Sequence, residues 1–261
     1  MGALLYRFPS QKLIIVGVTG TNGKSTTVDM ISRIFRETGF KTASLSSIRF
    51  QIQDKEWRNT YKMTMPGRFI IQRFLRQAVN AGCTHIVLEV TSEGILQHRH
   101  RFINFHTTVF RNLSPEHIER HGSFDKYREA KGKLFQVTKQ VHVVNLDDEN
   151  ASYFLQFPAE NKYLYGVNTQ YRIQNTRYIK AENIQETENG LAFSVQGTNF
   201  SLLLLGEFNV YNALAAVCAG LSQGIALEVC KKALEKMTGV PGRMEVVIRE
   251  PFRGFVDYAF T

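Results

Sequence analysis

The segment Gly20-Thr21-Asn22-Gly23-Lys24-Ser25-Thr26 constrains this chain more than any other. It follows Leu13 to Val18, an apolar run rich in β-branched residues that reads as a buried strand. After it, Val28, Ile31, Ile34 and Phe35 recur at helical spacing until Gly39 ends the helix. Glycines at a strand-to-helix turn let backbone N–H groups face inward and cradle phosphate oxygens. The helix N-terminus adds partial positive charge. Lys24 would reach the β- and γ-phosphates, and the Ser25 hydroxyl would ligate Mg²⁺. The generic pattern has a further glycine where Val18 stands, so this loop is a shorter variant. The plain alternative is a glycine-rich turn that binds nothing. Lys24 and Ser25 directly after a glycine, at a helix start, argue against it.

The rest of the chain alternates strands and helices. Ala43 to Ser47 reads as a strand, and Ile48 to Trp57 as a hairpin. Pro66-Gly67 marks a helix start, with Ile70, Ile71, Phe74, Leu75, Ala78 and Val79 on its apolar face and Gly82 at its close. His85 to Val90, Thr107 to Phe110 and Val141 to Asn145 read as strands, and Phe124 to Phe135 as a charged amphipathic helix. From about Lys162 to Leu205 helical spacing disappears, which predicts a small antiparallel sheet packed at one edge. Helices over 210–221 and 227–237 follow. Pro241-Gly242 is a boundary, and Phe255 to Ala259 reads as a strand opening a new unit. The fold class predicted is α/β: a P-loop-containing, mostly parallel sheet with helices on both faces and a small antiparallel β subsheet.

Composition narrows the function classes. Hydrophobic residues make up 43% of the 261 residues, enough for a packed core. The formal net charge of +9 suits anionic partners, but no Lys/Arg block reads as a nucleic-acid tail, so no nucleic-acid partner is expected. Cys83, Cys218 and Cys230 fit neither a zinc pattern nor a disulfide framework and read as buried free thiols of a reducing, cytoplasmic compartment. No apolar run approaches the roughly 20 residues that span a bilayer.

The short loop and the segments after it resemble the Mur ligase family, which includes the folylpolyglutamate synthases. Leu88-Glu89-Val90-Thr91-Ser92 is similar to the family's E-V-S-S segment, and Asn112-Leu113-Ser114-Pro115-Glu116-His117 to its N-L-x-x-D-H segment. His121-Gly122 and Tyr127-Arg128-Glu129-Ala130-Lys131 continue the likeness. So do Gly206-Glu207-Phe208-Asn209-Val210-Tyr211-Asn212, Gly242-Arg243-Met244-Glu245 and Asp257-Tyr258-Ala259, all in family order. The branch that adds the third residue of the peptidoglycan stem peptide is the most similar.

The resemblance implies an ATP-dependent ligase that joins an amino acid to a UDP-N-acetylmuramoyl-peptide through an acyl phosphate. Gly20, Thr21, Asn22, Gly23, Lys24, Ser25 and Thr26 would hold the triphosphate. Ser25, Glu89 and His117 would bind Mg²⁺. Lys131 would be carbamylated, making it an anionic oxygen ligand; by itself it reads as one more lysine on a charged helix. Lys24, Lys131 and His117 form the implied catalytic set. Asn209 and Asn212 would face adenine, with helix capping as the alternative for Asn209. Arg243 would pair with a phosphate and Asp257 with the ribose hydroxyls. Thr64, Thr91, Gln97 and Arg99 would contact the muramoyl-peptide; a loop role without ligand stays open for Thr64 and Gln97.

The chain departs from the family pattern in places. Met65 stands where a second threonine is usual, Thr91-Ser92-Glu93 where S-S-H is usual, Glu116 conservatively where an aspartate is usual, and Phe260 where D-Y-A-H-T-P has its histidine. The resemblance makes residues 1–240 the central ATP-binding domain, and 241–261 a linker with the truncated start of a C-terminal ligase domain. On that reading the chain binds ATP·Mg²⁺ weakly and ligates little alone. A ligase of a different acid and a non-catalytic nucleotide-binding module are the alternatives.

Overall fold

The computed structural model describes residues 2–61, 63–115, 118–168, 176–188, 190–248 and 254–258. A short helix α1 (Gly2–Leu5) and a 3-10 turn (Pro9–Lys12) lead into β1 (Ile14–Thr19) and α2 (Lys24–Glu37). Then come β2 (Thr42–Leu45), the hairpin β3 (Arg49–Ile52) and β4 (Lys55–Arg58), α3 (Arg68–Asn80), β5 (His85–Glu89) and α4 (Ser92–Leu96). The middle holds β6 (Thr107–Phe110), α5 (Ile118–His121), α6 (Phe124–Val137), β7 (Val141–Asn145), α7 (Ala151–Leu155) and β8 (Asn161–Gly166). Last are β9 (Arg177–Thr187), β10 (Gly190–Val195), β11 (Thr198–Leu202), α8 (Phe208–Ser222), α9 (Leu227–Glu235), β12 (Glu245–Ile248) and β13 (Gly254–Val256).

Eleven of these strands form one sheet in the order β11-β10-β9-β8-β7-β6-β1-β5-β2-β3-β4, while β12 and β13 pair separately. The strands from β9 to β2 in that order run parallel. The central strands β1, β5 and β7 are buried on both faces, which is why their sequences are near-continuous apolar runs. Antiparallel pairs close each edge: β10 and β11 on one side, β3 and β4 on the other. The antiparallel subsheet expected at one edge is present as β9, β10 and β11, continuous with the main sheet. It begins later than residue 162: β8 pairs parallel with β7, and β9 pairs parallel with β8 before the chain turns back. Strands of this length carry no helical period, and residue pattern alone does not reveal their direction.

On one face, α2, α8 and α9 pack over Val16, Val18, Val109 and Val143. On the other, α3 covers Ile15, Ile86 and Leu88, and α6 with α7 covers Phe110, Val144 and Leu164. The alternation along β1 sends Ile15 to one face and Val16 and Val18 to the other. Gly17 lies where a Cβ would stand 2.9 Å from the Phe105 ring, so that ring packs directly on the strand. Each buried aliphatic or aromatic side chain contributes about 1.5–3 kcal/mol relative to exposure. Helix ends follow local chemistry: the Ser123 hydroxyl accepts from the Lys126 N–H at 3.2 Å to start α6. Gly39 (φ +85°) follows the end of α2. Cys83, Cys218 and Cys230 are all buried and free. Among the described residues no helix is long and apolar enough to cross a membrane.

The topology selects the place for a ligand. β1 lies between β5 and β6, so the chain's crossovers leave it in opposite directions along the sheet. The crevice beyond the C-terminal ends of such strands is where open α/β sheets bind ligands. The 20–26 loop, Glu89 and Arg111-Asn112 all lie there.

Candidate active site

Gly23 is the N-cap of α2 at φ +80°, a conformation that glycine adopts without cost. The loop is held from behind by residues after β6. Asn112 accepts from the Thr21 N–H at its backbone carbonyl (2.9 Å) and at Oδ1 (3.0 Å), and its Oδ1 also accepts from the Asn22 N–H at 2.8 Å. The Ser114 N–H donates to Thr21 Oγ1 at 3.0 Å, and the same hydroxyl lies 3.1 Å from the Tyr127 hydroxyl. Lys24 Nζ folds over the loop and donates to the Thr21 carbonyl at 2.5 Å.

Beside the loop, the Ser25 hydroxyl donates to Glu89 Oε2 at 2.8 Å. The Ser47 N–H donates to the same carboxylate oxygen at 2.8 Å, and the Ser47 hydroxyl lies 2.8 Å from that of Ser25. Glu89 is 3% exposed, a buried carboxylate at a strand end held, among the described residues, by the neutral donors of Ser25 and Ser47. Lys131 is 1% exposed; its Nζ donates to the Gly20 carbonyl at 2.8 Å and sits 4.5 Å from the centre of the Tyr127 ring. A helix residue and a loop residue more than a hundred positions apart thereby meet.

Lys24, Ser47, Glu89, Tyr127 and Lys131 line a cavity of about 600 Å³ together with Thr64, Thr91, Arg99, His121 and Arg243; Ser25 lies just outside it. Within it the predicted peptide-contacting residues divide. The Thr91 hydroxyl caps α4 by accepting from the Gly94 N–H at 3.1 Å. Arg99 donates to the Met65 carbonyl and to the Gln97 side-chain oxygen. Gln97 is absent from the lining and props Arg99 instead. Glu93 forms a 2.8 Å ion pair with Arg120 at the rim. Both are substantially exposed, so the pair contributes little stability.

Asn209 and Asn212 lie away from the cavity. The Asn212 amide donates to Asn209 Oδ1 at 2.8 Å, Asn209 Nδ2 donates to the Leu205 carbonyl at 2.7 Å, and the Thr27 hydroxyl donates to Asn212 Oδ1 at 3.1 Å. The pair ties the start of α8 to the first turn of α2. Arg243 lines the cavity, and its guanidinium stands 3.9 Å from Asp257 Oδ1 across the β12–β13 unit. His117 lies outside the described residues. Among the described residues no cluster of three or more metal-ligating side chains exists. Two hard oxygens, Ser25 Oγ and Glu89 Oε2, suit Mg²⁺, which takes one or two protein oxygens and completes its octahedron with phosphate oxygens and water.

Sequence reading missed Ser47, which sits in the run Ser44-Leu45-Ser46-Ser47 with no motif around it. It also passed over Arg111, which enters the site only because β6 lies beside β1. Asp148 was missed as well. It accepts from the Leu113 N–H at 2.8 Å, and burial raises its pKa above the ordinary carboxylate value.

The sequence profile of the Mur ligase middle domain matches residues 18–220. A UDP-N-acetylmuramyl-tripeptide synthetase from Roseiflexus sp. (strain RS-1) is 34% identical over 100% of this chain and 54% of its own length. A UDP-N-acetylmuramoyl-L-alanyl-D-glutamate--2,6-diaminopimelate ligase from Halalkalibacterium halodurans is 35% identical over 98% and 53%. A solved structure of a ligase of that last kind superposes with a TM-score of 0.82 at 28% identity, covering 96% of this chain and 52% of the other. MurF from Acinetobacter baumannii shares the fold, with a TM-score of 0.78 at 20% identity over 98% and 53%. The chain spans about half the length of the curated relatives it matches. Its loop, its strand order and the profile match agree: this chain belongs to the Mur ligase family, whose middle domain it carries.

Proposed function

We propose that this chain carries the ATP-binding and phosphoryl-transfer centre of a peptide ligase of peptidoglycan precursor synthesis. The observation that supports it most is the 2.8 Å contact of Ser25 Oγ with the buried Glu89 carboxylate beside the loop. In the proposed reaction a substrate carboxylate oxygen attacks the γ-phosphorus of ATP, ADP leaves, and an acyl phosphate forms. An amino-acid nitrogen then attacks the acyl carbon. Phosphate leaves, and the nitrogen loses a proton to give the amide. A UDP-N-acetylmuramoyl-peptide would supply the carboxylate, seated in the cavity near Thr64, Thr91 and Arg99, with Gln97 steadying Arg99.

Gly20 to Thr26 would wrap the triphosphate with backbone N–H groups, and Lys24 would leave the Thr21 carbonyl for a phosphate oxygen. Arg243 would turn from Asp257 toward phosphate, freeing Asp257 for the ribose. Asn209 and Asn212 would set the adenine end by holding α8 against α2. Mg²⁺, held by Ser25, Glu89 and His117, would neutralise charge developing on the phosphate oxygens. Most of the rate enhancement then comes from positioning and electrostatics. Lys131, on the cavity wall, fits carbamylation, which would turn its cation into an oxygen ligand. Residues 1–240 would be the central domain, and 241–261 a linker entering the next. The buried free thiols suit a cytoplasmic setting.

Calorimetry of the purified chain with a non-hydrolysable ATP analogue tests the assignment. Tighter binding is expected with Mg²⁺ than with EDTA. Intact-protein mass spectrometry after bicarbonate treatment, with a K131M control, tests the carbamate. No Mg²⁺-dependent heat would overturn the reading. Efficient amide synthesis by the purified chain would overturn the view that it needs further regions for ligation.

A further inference from the structure

A buried cation lies beneath the phosphate loop, and neither the loop motif nor the Mg²⁺ ligands account for it. Arg111 follows β6; its N–H donates to the Thr19 carbonyl at 2.9 Å, and its own carbonyl accepts from Asn145 Nδ2 at 2.9 Å. The side chain is driven under the loop. It is 2% exposed, yet no Asp or Glu among the described residues forms an ion pair with it. Its guanidinium has one hydrogen-bond partner there, the Tyr165 hydroxyl, which accepts from Nη1 at 3.0 Å. Nε has none.

Tyr165 does not compensate the charge. Its hydroxyl donates to the Phe110 carbonyl at 3.0 Å, and burial pushes its pKa up to about 12, so it stays a neutral phenol. A buried, unpaired charge is among the most unfavourable features a folded chain can keep. Such a charge persists where an anion arrives to pair with it.

The geometry names the anion's side. A Cβ on Gly20 would stand 2.8 Å from Arg111 Cβ, and one on Gly23 would stand 3.1 Å from Nη2 and 3.3 Å from Nε. The Arg111 stem therefore packs on Gly20 and its guanidinium lies against Gly23, next to Asn212 Oδ1. Lys24 and Arg243 line the cavity, whereas Arg111 is absent from its lining. We propose that Arg111 is a positioning residue for the nucleotide's polyphosphate, supplying buried positive charge and an unfilled N–H donor from beneath Gly20 and Gly23. This rests on the reading of the loop as an ATP site.

The test replaces Arg111 with methionine, which keeps the stem volume and removes the charge, and with lysine, which keeps a charge. Calorimetry is run on the chain with Mg·AMP-PNP, Mg·ADP and adenosine, and thermal unfolding without ligand. In R111M, affinity for both phosphorylated ligands is expected to fall by about tenfold or more, the scale of one charge-assisted hydrogen bond. Adenosine binding is expected to stay the same, R111K to recover part of the loss, and ligand-free R111M to melt no lower than wild type. Unchanged AMP-PNP affinity in R111M overturns the proposal. So does an R111M chain that melts lower or fails to fold, since that marks Arg111 as structural. If the unaltered chain binds no Mg²⁺-nucleotide, the failure belongs to the ATP assignment instead.

Discussion

Adding one methyl group at Gly23 tests the loop geometry directly, because Gly39 offers a matched control. Both residues have positive φ, +80° and +85°. Forcing a Cβ into that region costs about 1–2 kcal/mol at either site. The gain from a stiffer unfolded chain, about 0.4–1 kcal/mol, is also common to both. The surroundings differ. A Cβ at Gly39 meets nothing within 4 Å, whereas one at Gly23 collides with Asn212 Oδ1 and crowds the Arg111 guanidinium. Asn212 cannot retreat easily, since Thr27 and Asn209 hold its amide. Overpacking of this kind adds about 1–3 kcal/mol. G23A should therefore be less stable than G39A by roughly that amount, read as the difference in unfolding free energy from urea denaturation with m-values unchanged. G39A should keep wild-type affinity for Mg·AMP-PNP, and G23A should lose it. Equal destabilisation by the two substitutions would refute the packing of Asn212 and Arg111 against the loop. A G23A chain that binds nucleotide normally would refute the loop as the phosphate site.

E89Q keeps an acceptor oxygen for Ser25 and Ser47, so its stability should change by no more than about 1 kcal/mol. Its Mg²⁺-dependent nucleotide affinity should drop about tenfold or more while affinity in EDTA stays unchanged; equal losses in both buffers would remove Glu89 from the metal site. Burial lowers the pKa of His85, His100 and His142 to about 4 each. Below about pH 6.5 the unfolded chain takes up protons that these folded rings refuse. Stability is then complete above that pH and declines toward about pH 4, with at most about 1.4 kcal/mol per pH unit from each ring. A melting temperature flat from pH 7 to 5 would contradict this. S123A removes the acceptor at the start of α6 and should cost about 1 kcal/mol, or roughly 2–4 °C in Tm at this size. No shift would mean that the cap carries no stability.

Much of the site was legible in the sequence because it is local. Strand, glycine turn, Lys24-Ser25 and helix are consecutive, and their periods and turn chemistry name a phosphate loop before any packing is known. Helices opening at Pro66-Gly67, over 124–135 and over about 210–221 were visible for the same reason, through apolar spacing, and the structure carries them to 68–80, 124–137 and 208–222. Motif likeness carried the reading further, to Glu89 and Lys131, although nothing in their own neighbourhoods separates Lys131 from a surface lysine.

Tertiary structure alone decided what depends on strand order. β1 settles between β5 and β6, and that arrangement brings Glu89, Arg111 and Asn112 around a loop some 64 to 90 positions earlier in the chain. It buries Lys131 on the Gly20 carbonyl, turns Asn209 and Asn212 into braces behind the loop, and moves Gln97 from the cavity wall to a prop for Arg99. It also pairs β8 and β9 in parallel, where the aperiodic residues from about 162 suggested antiparallel strands throughout. Residue pattern encodes which face of an element is buried. Which elements become neighbours follows from burying all of those faces at once, and that competition is settled only by the folded whole.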